Sequence, residues 1–237
     1  MDPPEKSLVI LTGAGISAES GLPTFRDKDG LWEGHRVEDV ACPQAFHDHP
    51  QRVHRFYNLR RAALQTVMPN AAHLALARLQ LEFPGRVSII TQNIDDLHER
   101  AGSTGVIHMH GELLQARCGQ CNQRTHWAED LATTTACPAC GRSGGMRPDI
   151  VWFGEIPYHL ELIDMLLDNA TIFAAIGTSG HVYPAAGFVS LAQAAGARTI
   201  EINNAQTLVS ECFDRHHSGP ATREVPRWVD ELLAQHE

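Results

Sequence analysis

Cations are scarce in this sequence: 19 Lys and Arg stand against 28 Asp and Glu, leaving a formal charge of −9 over 237 residues. A field of that sign repels nucleic acid and anionic membranes unless basic residues cluster, and no long basic run occurs. The apolar stretch 8–11, four residues behind acidic and proline residues, is far too short for a signal peptide or a membrane span. A cytoplasmic protein with no nucleic-acid and no membrane partner is expected. Cysteine is rare: of six, four form two CxxC pairs, while Cys42 and Cys212 stand alone. This pattern fits a metal site in a reducing compartment better than a disulfide framework. Internal repeats and low-complexity tracts are absent.

What is present suffices for a sizeable core, since 43% of the residues are hydrophobic. Short β-rich runs at 8–12, 87–91, 106–108, 150–153, 171–176 and 199–202 alternate with helical stretches. Alternation of this kind predicts an α/β fold with a largely parallel sheet. Segments 26–78, helical and looped, and 118–145, polar and Gly-bearing, interrupt the rhythm and predict a small inserted domain. Pro226 is expected to open a short terminal helix over 226–235, where its missing N–H costs nothing.

Gly13-Ala14-Gly15 follows the first strand and leads into an expected helix at 16–20, a natural place for pyrophosphate. Glycine in such a turn can equally serve a purely steric need. The dehydrogenase pattern GxGxxG is broken by Ala18. Cys118-x-x-Cys121 and Cys137-x-x-Cys140 have the spacing of a tetrahedral Cys₄ zinc site. With four sulfur ligands no coordination position stays open, so the ion is structural. Only Arg117, Arg124, Arg142 and Arg147 lie nearby, without interleaved aromatics, which argues against a nucleic-acid-binding ribbon.

His108 and His110 end a strand-like run and on strand alternation share a face, so spacing does not choose between them as a base. Gln92, Asn93 and Asp95 follow the 87–91 strand, where they could hold a ribose and a carboxamide or simply cap a helix starting near Asp95 or Asp96. Gly177-Thr178-Ser179 and Asn203 also sit at strand ends. Over 50–68 an amphipathic helix is expected, with Val53, Phe56, Tyr57, Leu64 and Val67 in one stripe. Arg60 falls in the middle of that stripe, whereas Arg52, Arg55 and Arg61 fall off its centre. Tyr57 and Arg60, at i and i+3, could converge on a carboxylate; alternatively Arg60 snorkels or pairs with an internal acid.

GAGISAESGLPTFR at 13–26, Thr91-Gln92-Asn93-Ile94-Asp95, His110-Gly111 and Gly177-Thr178-Ser179, in this order, resemble the motif set of the sirtuins, in particular their bacterial CobB type. The resemblance covers 8–225. It implies a Rossmann-like NAD-binding domain (6–30, 79–116 and 146–237) and a small domain built of a helical module (31–78) and a zinc-ribbon module (117–145). NAD as co-substrate and one structural zinc ion on Cys118, Cys121, Cys137 and Cys140 follow from it. It selects His110, with Asn93, as catalytic.

The cofactor is expected along Gly13, Ala14, Gly15, Ser17, Ala18 and Glu19, then Thr24, Phe25, Arg26 and Trp32. Phe25 would shield the reaction from early hydrolysis and Arg26 would order the loop. Gln92, Asn93, Ile94 and Asp95 are implied on the nicotinamide-ribose side, with Asp95 on the carboxamide, and Gly177, Thr178, Ser179, Asn203, Asn204, Ala205 and Ala221 on the adenosine side. Val151, Trp152, Phe153 and Gly154 resemble the segment that pairs with substrate backbone. Tyr57, Arg60 and the small Ala41 resemble the mark of enzymes that remove succinyl and malonyl as well as acetyl groups.

The implied reaction is attack of the acyl-lysine carbonyl oxygen on the nicotinamide ribose, loss of nicotinamide, and release of lysine and 2′-O-acyl-ADP-ribose, with His110 as general base. The partners are acylated lysine side chains of proteins, and monomeric action is expected. A Rossmann-type NAD(P)- or FAD-dependent oxidoreductase is disfavoured by Ala18 and the closed zinc site. A non-catalytic NAD- or ADP-ribose-binding module is disfavoured by His110 beside Asn93 and Asp95.

Overall fold

Residues 6–23, 31–32 and 35–235 are described in a computed structural model. Strand β1 (Ser7–Thr12) runs into two 3₁₀ turns, Ala14–Ile16 and Ala18–Ser20. A two-residue ribbon, β2 (Leu31–Trp32) and β3 (His35–Arg36), precedes α1 (Val37–Val40), α2 (Pro43–Asp48), α3 (Pro50–Leu64) and α4 (Ala71–Glu82). Next come β4 (Arg86–Thr91), α5 (Leu97–Arg100), β5 (Ile107–His108), β6 (Gly111–Cys118), β7 (Arg124–His126) and β8 (Met146–Ile150). The chain ends with α6 (Leu160–Asp168), β9 (Ile172–Ile176), α7 (Phe188–Ala194), β10 (Arg198–Asn203), β11 (Arg215–Ser218) and α8 (Ala221–Ala234).

Six strands pair in parallel in the order β11-β10-β9-β1-β4-β5. The aliphatic run of β1 is buried on both faces, as a central parallel strand requires. Its alternate residues separate two cores. Leu8 and Ile10 join α4 and α8 through Leu76, Leu79, Val225 and Trp228, while Val9 and Leu11 join α6 and α7 through Ile163, Leu167, Phe188 and Val189. A smaller antiparallel sheet, β7-β6-β8, carries a third core under α1–α3 (Val40, Phe56, Tyr57, Leu64, Leu113, Trp152). A fourth core holds Ala116, Leu131 and Met146 with Cys118 and Cys137.

The α/β parallel architecture matches the expectation, and several elements differ in detail. No α-helix follows Gly13-Ala14-Gly15; two 3₁₀ turns stand there, ended by Gly21 at φ +95°. Helix α3 stops at Leu64, short of the expected 68. The strand expected at 150–153 runs instead from Met146 to Ile150. Helix α8 starts at Ala221 and carries Pro226 inside it. Interior proline costs about 3 kcal/mol, but Val225, Trp228, Val229 and Leu232 are buried on the same helix, each at roughly 1.5–3 kcal/mol. The expected boundary after residue 78 falls inside α4, whose Ala72, Ala75, Leu76 and Leu79 belong to the core of the six-stranded sheet.

Candidate active site

Neighbouring parallel strands β1 and β9 leave the sheet at the same edge, and their exit loops touch backbone to backbone. A Cβ on Gly13 would lie 2.8 Å from the Gly177 carbonyl oxygen, and one on Gly15 2.7 Å from Gly177 Cα. The amides of Gly13 and Gly15 donate to the carbonyls of Ile176 and Gly177, at 3.0 and 2.9 Å, and that of Ile16 to Gly13 at 3.1 Å. The glycines therefore answer a steric need between two loops. Those three N–H groups are used within the chain, and the turns that follow are 3₁₀ rather than the α-helix expected at 16–20.

Beneath this crossing lies a buried polar network. The Ser17 hydroxyl donates to Asp95 Oδ2 at 3.0 Å and accepts from Asn93 Nδ2 at 3.2 Å, while Asp95 Oδ1 accepts the Leu97 amide at 3.2 Å. Asn93 Nδ2 also donates to the Gly13 carbonyl at 3.2 Å, joining the β4 loop to the β1 loop. Burial raises the Asp95 carboxyl to about 6 against the pull of its two donors. His73 Nδ1 accepts the Asn70 amide at 3.3 Å, so its Nε2 carries the proton toward Ser17 Oγ, 3.4 Å away. His98 Nε2 sits 3.0 Å from Thr12 Oγ1, which donates to Thr91 Oγ1 at 2.9 Å, and Thr91 accepts the Asn93 amide at 3.0 Å. Burial lowers His73 to about 4 and His98 to about 3, so both are neutral supports. Sequence reasoning missed both; the Asn70–His73 capping box at the start of α4 was the available signal.

The two strand-end histidines separate clearly. β5 ends at His108, so strand alternation does not extend to His110, and the two rings have different surroundings. His108 Nε2 lies 2.8 Å from Glu99 Oε1; burial pulls its pKa down, but the Glu99 bond and charge outweigh it and the net shift is upward. His110 Nδ1 faces the Gln92 carbonyl at 3.2 Å, burial lowers its pKa, and its Nε2 has no protein partner among the described residues. Gly111, at φ +84°, follows because a Cβ there would fall 2.0 Å from the Asp149 carbonyl oxygen.

On the β9–β10 side, Asn203 Nδ2 donates to the Thr178 carbonyl at 2.6 Å, and its Oδ1 accepts the Asn204 amide at 2.9 Å. Ser179, Asn204 and Ala205 are exposed, while Ala221 is buried in the first turn of α8. Glu19 accepts the Thr222 amide and hydroxyl, at 3.1 and 2.8 Å, which ties it to α8. Residues expected around the cofactor thus gather at the C-terminal ends of β1, β4, β9 and β10, the edge where open parallel sheets bind ligands. Thr24, Phe25 and Arg26 lie outside the described residues, and of Trp32 only the backbone, in β2, is described.

Helix α3 buries Tyr57 completely, and Trp152 Nε1 donates to its hydroxyl oxygen at 2.9 Å. Arg60 is 8% exposed; its guanidinium carbon lies 3.1 Å from the Phe56 ring centroid and Nη1 donates to the Phe56 carbonyl at 2.6 Å. Arg61, expected off the apolar stripe, is 1% exposed and donates to the Leu113 carbonyl and Asn58 Oδ1. It binds α3 to β6, a tertiary role that helix periodicity does not reveal. Buried Ala41 accepts the Phe153 amide at 2.9 Å, Val151 N–H donates to His110 O at 2.9 Å and Trp152 N–H to Glu155 Oε2 at 2.8 Å. All three amides of 151–153 are therefore used within the chain, and the Trp152 carbonyl accepts the Glu155 amide at 2.9 Å.

The four cysteine sulfurs lie within 4.8 Å of one another, with Cys118–Cys140 at 3.9 Å and Cys121–Cys137 at 3.7 Å. Zn–S bonds of ~2.3 Å in a tetrahedron require S···S near 3.8 Å, so the donors fit one zinc ion. The two knuckles are backbone copies: Asn122 and Gly141, at φ +58° and +71°, return their amides to the Cys118 and Cys137 carbonyls at 2.9 and 2.8 Å.

Comparison with known proteins agrees with this geometry. The Sir2 family profile matches residues 13–184. An NAD-dependent protein deacylase of Bdellovibrio bacteriovorus is 56% identical over 230 residues, 96% of this chain and 97% of that one. One of Vibrio parahaemolyticus is 55% identical over 99% of this chain and 98% of its own. A solved Sir2 homologue in complex with NAD superposes with a TM-score of 0.89 at 39% identity, over 98% of this chain and 91% of that one. This chain belongs to the Sir2 family, the sirtuins.

Proposed function

We propose that this sirtuin is an NAD-dependent protein-lysine deacylase that removes acetyl, succinyl and malonyl groups and yields nicotinamide and 2′-O-acyl-ADP-ribose. The observation that carries the proposal is His110, whose Nδ1 faces the Gln92 carbonyl at 3.2 Å, whose pKa burial lowers, and whose Nε2 has no protein partner among the described residues. Bound NAD would supply a ribose C1′–nicotinamide bond that breaks, releasing nicotinamide, as the acyl-lysine carbonyl oxygen bonds to C1′. Asp95, fixed by Ser17 and the Leu97 amide, receives the carboxamide. Asn93, fixed by Gly13, Ser17 and Thr91, orients the nicotinamide-ribose side. His110 Nε2 accepts the proton of a ribose hydroxyl. Cys118, Cys121, Cys137 and Cys140 would hold a zinc ion in a site with no open coordination position, a structural role.

The acidic-acyl part of the proposal rests on α3, where a guanidinium is buried among apolar residues next to a buried phenol. Such a charge favours an anionic acyl end. Incubation with NAD and an acylated peptide should release nicotinamide only when both are present. Arg60→Met should lower desuccinylation efficiency about 10- to 100-fold, the scale of a charge-assisted hydrogen bond, mainly through KM, with a much smaller effect on deacetylation. Equal loss of both activities would leave the arginine a support of α3 and remove the acidic-acyl part.

A further inference from the structure

A carboxylate stands in the sheet where an apolar side chain would ordinarily pack. In β10, Ile200 and Ile202 face the core shared with α4 and α8, and Glu201, one residue out of phase, turns to the opposite side, that of Val209 and Phe213. Glu201 is buried, so its charge needs donors, and it has three. Oε1 accepts the Thr207 hydroxyl at 2.7 Å, and Oε2 accepts the Ser210 hydroxyl. His216 Nδ1, 3.2 Å from Oε2, carries a proton because a carboxylate oxygen only accepts. None of these residues has a place in the acyl-transfer chemistry.

The three bonds fix the turn that follows β10. The Thr207 amide donates to Ser210 Oγ at 2.8 Å, and the hydroxyls of both residues end on the one buried carboxylate. The turn is pressed against the loop that leaves β9: a Cβ on Gly180 would lie 2.9 Å from Val209 Cγ2 and 3.2 Å from Thr207 Cβ. Between these anchors run Asn203, whose Nδ2 donates to the Thr178 carbonyl at 2.6 Å, and the exposed Asn204 and Ala205. The segment is thus held at both ends, by Asn203 on Thr178 and by Thr207 on Glu201. We propose that Glu201 is a positioning residue for NAD: through Thr207 and Ser210 it sets Asn203, Asn204 and Ala205 against the 177–179 loop, where they meet the adenosine half of the cofactor. The proposal rests on the reading of those residues as the adenosine side. An apolar residue at 201 could fill the same space, but it would leave two hydroxyls of the turn without their acceptor.

The test combines calorimetric titration with ADP-ribose and steady-state kinetics in which NAD and an acetyl-lysine peptide are varied separately. Glu201→Gln and Thr207→Val should each raise the Kd for ADP-ribose and the KM for NAD together by about 3- to 30-fold, the scale on which residues without ligand contact alter affinity. The peptide KM and the kcat at saturating NAD should stay within about twofold of the parent. The double variant should lose little more than the worse single one, since both changes act on one contact. Asp214→Asn is the control for stability: its carboxylate accepts the Thr199 amide and hydroxyl, at 2.8 and 3.0 Å, at the opposite end of β10, so this variant should lose stability and keep ADP-ribose affinity. If Glu201→Gln does not fold, Thr207→Val and Ser210→Ala, each lacking one hydroxyl, decide the matter. A loss of affinity in Asp214→Asn as large as in Glu201→Gln, or losses that multiply in the double variant, overturn the positioning role. Affinity that falls in Asn203→Ala but not in Glu201→Gln or Thr207→Val overturns the role of Glu201 alone; affinity indifferent to all three overturns the adenosine reading with it.

Discussion

Gly177→Ala tests whether the crossing of the β1 and β9 loops is a steric necessity. Gly177 has φ +61°, and its added Cβ would lie 2.5 Å from Ile16 N, 2.7 Å from Gly15 C and 2.8 Å from Gly15 Cα. The left-handed conformation alone costs an alanine about 1–2 kcal/mol. All three obstacles are backbone, so relief to an ordinary contact of ~3.5 Å requires the loops to part by about 1 Å. That displacement strains the bonds from Gly15 N to Gly177 O and from Gly177 N to Ile202 O, both 2.9 Å, at about 0.5–1.5 kcal/mol each. The sum is about 2–5 kcal/mol, a large part of the 5–15 kcal/mol typical of a folded domain. Gly105→Ala is the matched control: it has the same φ of +61° and nothing within 4 Å of the new Cβ. Urea unfolding followed by circular dichroism should place Gly105→Ala within about 2 kcal/mol of the parent and Gly177→Ala clearly below it. Equal stability of the two variants would refute the steric account, because conformation would then explain everything and contact nothing.

His110→Ala should retain zinc and lose about 10²- to 10⁴-fold in turnover. Since burial lowers the pKa of His110, the neutral base should persist below the usual ~6.5, so kcat/KM in the parent should fall only on further acidification; a limb above pH 7 would contradict the assignment. Cys137→Ser should lose about one equivalent of zinc by atomic absorption and much of its stability, and a well-folded, active, metal-free variant would show that the site is not structural. The folded pKa of His108 is raised, so its stabilisation is complete below the unfolded value of ~6.5 and fades as pH rises through the folded pKa; Glu99→Gln should flatten that fall in unfolding free energy across pH 6–8.

The parallel sheet was legible because its strands carry aliphatic runs, and the cysteine knuckles because ligand spacing is local. Strands β6, β7 and β11 were not, since GELLQARC, RTH and RHHS are polar or short and are strands only through their partners. Tertiary burial also hid Arg61, whose partners Leu113 and Asn58 satisfy a charge that periodicity assigns to solvent. At the site, motif order pointed to His110, Asn93 and Asp95, residues that the fold gathers at one sheet edge. His73 and His98 escaped notice because they act behind that edge, on Ser17 and Thr12, across sequence distances that no local pattern spans. The double glycine turn was seen, but its partner Gly177 lies far along the chain and only the fold brings them together.

The position of β1 has a consequence for synthesis on the ribosome. Leu8 pairs with Val87 on one side and with Ile172 on the other, so the first strand made is central in the sheet and waits longest for its second neighbour. At ~5–20 residues per second, the stretch between β4 and β9 takes on the order of 4–16 s to emerge. During that interval the β1–β4 pair has an open edge of apolar sequence, the kind of template on which nascent chains join one another. The cysteine module emerges in the same interval, and its two knuckles are close in sequence, so loop closure costs it little. Metal capture can therefore precede completion of the sheet, and a chaperone would be needed most at the strand the ribosome delivers first.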